Sequence, residues 1–353
     1  MLDLTDICSF FYNSALLTSL RKYIGLSRDD EATPILKRRV GKFLVDNERR
    51  KELSVQIGCE DNTDYCRIFK LPKSQKNGHF HAMLNLNDSE LNDITTCGGA
   101  TTSSSSSSSS SGDGSAVDVL HFKAVMEEND DRVFEGVAQM VPPKGISVIS
   151  DIDDTVKITG VGSKKKLLKS TFLEEFKEVP GMAQLYQNWC QDLDCRFHFV
   201  SSSPWQLWED LSEFFQQSGF PLATYHLKPI RIKDRTLFDL WKSPLETKIS
   251  VIESILQGFP DRKFVLVGDT GEKDPEVYGE IARRFPNQIK GIYVRNVTGE
   301  TGQEERYDEA WSGVDRSICS VFDEPTDIEL SSELLAIAEE LKKEAVKEES
   351  LKP

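Results

Sequence analysis

Between residues 145 and 298 short apolar runs alternate with longer amphipathic ones, and that alternation limits the fold more than any other feature of the chain. The apolar runs at 146–150, 196–200, 223–227, 264–267 and 289–294 have strand length and are bounded by turn residues. Helical patterns lie between them. Two, at 164–177 and 182–191, follow the first run; one carries Leu207, Trp208, Leu211, Phe214 and Phe215 on a single stripe. Another places Leu245, Ile249, Ile252 and Leu256 on one face, and a last one covers 275–285. Strands separated by helices cannot pair as hairpins, so the expectation is a parallel sheet covered on both faces. Ser203-Pro204-Trp205-Gln206 and Ser243-Pro244-Leu245-Glu246 read as capping boxes with Pro at the first helical position, and Asp274-Pro275 as a capped start.

The remainder of the 353 residues divides around this block into a helical segment 1–30, a β-rich domain 31–144, the α/β domain 145–300 and an extension 301–353. In the β-rich part, short runs at 42–45, 53–57, 66–69, 79–84, 117–125 and 132–140 suggest an antiparallel sheet. Nine consecutive serines sit within residues 98–116, a composition that buries nothing and reads as a disordered insertion. Phe10, Phe11, Leu17, Leu20 and Ile24 could form one face of an N-terminal helix, docked or lying on a membrane. The acids Asp3 and Asp6 ahead of that run argue against a secretory signal, and no apolar run is long enough to span a bilayer. Ile328, Leu334, Leu335, Ala338 and Leu341 among Glu and Lys indicate an amphipathic terminal helix.

Formal net charge is -15, which argues against nucleic acid as a partner, because phosphate backbones are bound by basic faces. Seven scattered cysteines, none in a CxxC spacing, point to neither a disulfide framework nor a zinc site and fit a reducing, cytoplasmic setting. His79 and His81 share one face of an expected strand and read as ordinary histidines rather than a metal pair.

Acidic and hydroxyl residues gather where the expected parallel strands end. Asp151, Asp153 and Thr155 follow the first strand, Ser201 and Ser202 the second, and Asp269 and Asp274 the fourth, while Lys248 lies early in the preceding helix. Carboxyl ends of adjacent parallel strands converge on one crevice. Paired carboxylates on backbone that has just left a strand can ligate a hard cation and attack an electrophile; a helix start and hydroxyls can receive phosphate oxygens. A lysine would cancel repulsion between a carboxylate nucleophile and a phosphate dianion. Plainer readings stand beside these. Asp154 reads as an exposed neighbour, Ser203 as a helix cap, Asp274 as a cap or a metal ligand, and Lys248, outside this setting, as a surface lysine.

The segments DIDDT, FVSSS, the lysine and GDTGEKD, in that order, resemble the motifs of the haloacid dehalogenase superfamily of phosphatases. More narrowly, SDIDDTVKITGV, FVSSSPWQL, HLKPIR and KFVLVGDTGEKDPEVYGEIA resemble the actin patch-associated phosphatidate phosphatase family. That resemblance implies a Rossmann-like parallel sheet with little or no cap, preceded by the smaller β-rich domain. It implies Mg²⁺ as cofactor, held by Asp151, Asp269, Asp274 and the Asp153 carbonyl. Asp151 would be the nucleophile forming an aspartyl-phosphate, Asp153 the acid and then base, and Lys248 the residue steadying both nucleophile and phosphoryl group. Thr155 would orient the loop, and Ser201, with Ser202 next in line, would bind phosphate.

The implied reaction is hydrolysis of phosphatidate to diacylglycerol, with a phospholipid membrane surface as partner and a cytoplasmic, peripheral location. Cortical actin patches and endocytic proteins enter through the resemblance alone, since the C-terminal tail has no PxxP run for SH3 domains. An uncapped crevice admits a head group still in a bilayer. Lys164, Lys165, Lys166 and Lys169 could face an anionic surface at about 1 kcal/mol each, or form an ordinary solvated face. Two alternatives share the pattern: a phosphatase for soluble or protein phosphomonoesters, and a vestigial membrane-associated adaptor.

Overall fold

The computed structural model describes residues 34–44, 49–58, 67–75, 78–94, 119–229, 245–299 and 304–350. Among them, contacts separate two units. One contains strands β1 to β4; the other contains β5 to β10 together with the helix Pro34–Leu44.

In the first unit β1 (Ser54–Ile57), β2 (Arg67–Lys70), β3 (Val119–Val125) and β4 (Glu135–Gln139) form an antiparallel sheet in the order β2-β1-β3-β4. Register pairs Ile57 with both Arg67 and Phe122, and Phe122 with Gly136. Gly136 has a reason to lack a side chain, because a Cβ there would run into the Phe122 ring at 2.5 Å. The expected strand at 79–84 is absent; that stretch is irregular, so the shared face proposed for His79 and His81 does not exist.

In the second unit β5 (Ile146–Ser150), β6 (Arg196–Pro204), β7 (Ala223–Lys228), β8 (Lys263–Asp269), β9 (Ile289–Arg295) and β10 (Cys319–Phe322) lie in the order β10-β9-β8-β5-β6-β7. Pairing is parallel from β6 through β5, β8 and β9 to β10. From β5 the chain moves outward to β6 and β7, then returns to β8 on the other side. The junction of β5 and β8 is therefore the point where strand order reverses, and the crevice beyond the strand ends there is where such sheets bind ligands.

Continuous apolar runs become strands covered on both faces: every residue of β5 and β6 is buried. The helix Leu245–Gly258 buries Lys248, Ile249, Ile252, Ile255 and Leu256, a stripe at helical spacing that carries one lysine. Around β6 the core is aromatic, with Tyr186 4.7 Å from Phe197 and Phe199 4.5 Å from Phe215 between ring centroids. At the start of β5, Gly145 has φ of 131°, and Arg262 fills the space beside it by donating to the carbonyls of Lys144 and Ile146. Sequence reasoning assigned no strand to β10, which is short and carries Ser320.

The run expected as a strand at 42–45 ends a helix, Pro34–Leu44. Its buried side carries Leu36, Val40 and Phe43, but also Arg39 at 1% exposure. Arg39 donates to Asp210 Oδ1 at 3.1 Å and to the carbonyls of Thr171 and Glu174 at 2.7 Å each. The Thr171 carbonyl lies in the last turn of the helix Lys164–Phe172 and the Glu174 carbonyl just beyond it, so that helix stops short of the expected residue 177. Ser203-Pro204 does not cap a helix either. β6 runs through Pro204, a 3₁₀ turn follows at Trp205–Leu207, and the α-helix begins at Trp208. The N-terminal segment 1–30, the serine-rich stretch 98–116 and Ser243-Pro244 lie outside the described residues.

Candidate active site

Asp151 is the first residue beyond β5 and is held there by its backbone N–H, which donates to the Val267 carbonyl at 2.9 Å. Asp269 ends β8. Asp274 opens the helix Asp274–Arg284, but its carboxylate turns inward instead of capping: Oδ2 accepts from the Asp269 N–H at 3.2 Å and Oδ1 contacts Lys248 Nζ. Gly268 permits this, because a Cβ there would collide with the Asp274 carboxylate. Lys248 also donates to Asp151 Oδ1 at 2.9 Å. One lysine thus bridges two buried acids, one just past β5 and one at the start of the helix Asp274–Arg284.

One oxygen from each of Asp151, Asp269 and Asp274 lies within 4.8 Å of the others. All three residues are at most 1% exposed. Burial first, and then the neighbouring acids Asp274, Glu272 and Asp269, push the Asp151 carboxyl well above its usual range, with Lys248 opposing them. Burial likewise raises Asp269, with Asp274 and Glu272 adding to it. Asp151 Oδ2 and Asp269 Oδ2 are buried and accept no hydrogen bond. Lone carboxylate oxygens in a dry pocket cost several kcal/mol unless something positive meets them. Hard oxygen donors converging at this spacing suit a divalent cation such as Mg²⁺, which takes oxygen ligands and retains water.

Asp153 faces the other way. Its Oδ1 accepts from Lys157 Nζ at 2.7 Å and Thr159 Oγ1 at 2.8 Å, its Oδ2 from Ser203 Oγ at 2.7 Å and Ser201 Oγ at 3.2 Å. Burial raises its carboxyl, yet Lys157 and these hydroxyls outweigh burial and hold it below the usual range. Ser201 and Ser202 are both 8% exposed at the end of β6, and the Thr155 hydroxyl is buried without a hydrogen bond. The structure therefore brings Asp151, Asp153, Lys248, Ser201, Asp269 and Asp274 around the crevice, with Ser202 and Thr155 on the strand end and loop that border it.

Asp154 is not an exposed neighbour. It is 7% exposed with φ of 56°, and its carboxylate accepts from the N–H groups of Thr159, Gly160 and Val161 at 2.6, 2.7 and 2.7 Å. It folds the loop after β5 back over the site. Lys157 and Thr159 escaped sequence reasoning, although the four-residue separation of Asp153 and Lys157 was a signal. Glu272, half-buried in the turn after β8, has its carboxyl raised to about 7, chiefly by burial, against Lys248 and with the help of Asp274, Asp153 and Asp154.

Residues 146–296 match the family described as "Phosphatidate phosphatase APP1, catalytic domain". An uncharacterized protein of Schizosaccharomyces pombe is 35% identical over 179 residues, covering 49% of this chain and 29% of that protein. The protein named Phosphatidate phosphatase APP1 of Saccharomyces cerevisiae is 35% identical over 175 residues, again 49% of this chain and 29% of the relative. The chain thus spans under a third of the length of either relative.

Proposed function

We propose that this chain, whose residues 146–296 match the phosphatidate phosphatase APP1 catalytic domain, hydrolyses phosphatidate to diacylglycerol and inorganic phosphate with Mg²⁺. The observation that carries the proposal is the trio of buried carboxylates with two unsatisfied oxygens at the switch point of the sheet. Bound Mg²⁺, ligated by Asp151, Asp269 and Asp274, would supply positive charge between nucleophile and phosphate.

Asp151 Oδ1 is tethered by Lys248, and the Asp151 carboxylate supplies the attacking oxygen. In the first half-reaction a bond forms from an Asp151 carboxylate oxygen to phosphorus, the bond from phosphorus to the diacylglycerol oxygen breaks, and that oxygen takes a proton from Asp153. Asp153 stands as a carboxylate in the free site, so the proton comes with the substrate; a monoanionic phosphate ester carries one. In the second half-reaction Asp153 accepts a proton from water as its oxygen attacks phosphorus, which releases phosphate and restores Asp151. Such general acid-base assistance typically contributes about 100 to 10,000-fold. Ser201 Oγ, within reach of Asp153 and receiving the Ser203 N–H at 2.9 Å, is set to meet a phosphate oxygen once substrate displaces it.

The substrate's acyl chains stay in a bilayer, so the domain works at a membrane surface, on the cytoplasmic side by the resemblance, with cortical actin patches as the corresponding site. Among the described residues no helix is long and apolar enough to cross a membrane. Exposed Ile158 and Lys165, Lys166 and Lys169 flank the loop over the site and suit an anionic surface. Phosphate release from phosphatidate in mixed micelles, compared with a soluble phosphomonoester and a phosphoserine peptide, tests the reading. Higher kcat/KM on the micelles is expected; preference for a soluble ester would replace the lipid with that class.

A further inference from the structure

The turn between β8 and the helix Asp274–Arg284 supplies two of the three carboxylates, and its shape depends on a residue beyond the family-matched segment. Asp269 Oδ1 accepts from the N–H groups of Gly271 at 2.6 Å and Glu272 at 3.2 Å, which leaves Oδ2 free to face the trio. The turn has no slack. A Cβ on Gly271 would lie 2.9 Å from Asp269 Oδ1, 2.9 Å from Val161 Cγ2 and 3.0 Å from Val297 Cγ2.

On the outer side, Arg306 donates from Nη1 to the Thr270 carbonyl at 2.7 Å and from Nη2 to the Glu272 carbonyl at 2.6 Å. Its Nε and Nη2 also meet Glu276 Oε1 and Oε2, both at 3.0 Å. Across a trans peptide the C=O and the following N–H point in opposite directions. Fixing the Thr270 carbonyl outward therefore aims the Gly271 N–H inward at Asp269 Oδ1. The planar fork of arginine can hold two carbonyls and a carboxylate at once, which an ammonium cannot. Glu276 offsets the guanidinium charge, and Arg306 contributes direction to the turn rather than charge to the phosphate. The guanidinium is itself well placed, because Tyr307, Ala310 and Trp311 of the adjoining segment are buried against the core.

We infer that Arg306 is a positioning residue for the cation site: by clamping the Thr270 and Glu272 carbonyls it sets the Asp269 carboxylate for ligation. The inference rests on the cation reading of the site given above. Partners that orient metal ligands from behind typically cost 10 to 100-fold in metal affinity, by order of magnitude, when removed.

Titration calorimetry with MgCl₂, and with MnCl₂ as a second probe, on the full chain and its Arg306→Ala and Arg306→Lys variants tests it, with melting temperature in EDTA as the measure of fold. Arg306→Ala is expected to bind either cation at least about tenfold more weakly. Arg306→Lys, able to reach one carbonyl, should fall between, and saturating Mg²⁺ should restore most of kcat in both. Unchanged affinity in Arg306→Ala, whether or not its melting temperature falls, overturns the inference and leaves Arg306 a structural clamp. If Arg306→Ala does not fold, the same comparison is made on Arg306→Lys, where wild-type affinity is again the overturning result. A wild-type chain that takes up neither cation removes the cation reading and this inference with it.

Discussion

Replacing Arg39 by alanine perturbs the unit that holds the candidate site from a position more than a hundred residues before the family-matched segment. Arg39 is 1% exposed and donates to Asp210 Oδ1 at 3.1 Å and to the Thr171 and Glu174 carbonyls at 2.7 Å each. Its guanidinium carbon lies 3.8 Å from the Phe176 ring centroid, and Lys157 Nζ lies 4.8 Å from the same ring. Removing one partner of a buried ion pair costs about 3 to 5 kcal/mol. Asp210 would keep Arg38 at 2.8 Å and Lys42 at 2.9 Å, so its carboxylate is not orphaned and the lower end, about 3 kcal/mol, applies. For a unit of this size that amounts to a drop in melting temperature of about 6 to 12 °C. Differential scanning calorimetry reads it directly. Because Phe176 also borders Lys157, turnover measured well below the melting point should fall too. A variant melting within about 1 °C of wild type would refute the view that this helix is part of the α/β unit.

Gly279→Ala should destabilise by about 1 to 3 kcal/mol, although Gly to Ala within a helix ordinarily stabilises, because the new Cβ meets the Ala310 carbonyl; urea unfolding gives the sign. Burial raises the Asp210 carboxyl, but its bonds to Lys42 and Arg39 outweigh burial and hold it below the usual range. A depressed folded value stabilises above the unfolded carboxylate range and is lost as pH falls through the folded value, so the wild-type melting temperature should drop on acidification. Asp210→Asn should melt lower at neutral pH and show a flatter acid limb. Lys157→Met removes the cation that holds Asp153 down, so the acid limb of the kcat/KM profile should move to higher pH; an unmoved limb would remove Lys157 from Asp153's control.

The α/β architecture was legible because each buried strand is a continuous apolar run and each covering helix carries a stripe at its own period. The site followed from that, since parallel strands deliver their ends to one crevice, and Asp151, Asp153, Ser201, Asp269 and Lys248 stand at or beside those ends. The misreadings share a cause: a local rule met a buried charge with a stronger demand. Ser203 and Asp274 have the sequence of caps, yet one hydroxyl is taken by Asp153 and one carboxylate by Lys248. The helix Pro34–Leu44 was hidden because Arg39 interrupts its apolar face and its partner Asp210 is 171 residues away. Asp154 reads as a spare acid until the loop that follows it turns three N–H groups back onto its carboxylate. Periodicity reports none of these, because each depends on which distant group arrives.

On the proposed reading Asp151 carries the phosphoryl group. Rapid mixing of phosphate-labelled phosphatidate with the Mg²⁺-loaded chain, quenched in acid within the first turnover, would trap that species. A hydroxylamine-labile label is expected on the peptide containing Asp151, absent with EDTA and absent in Asp151→Asn, whose steady-state phosphate release should fall to background. Phosphate release that continues at the wild-type rate in Asp151→Asn would contradict it.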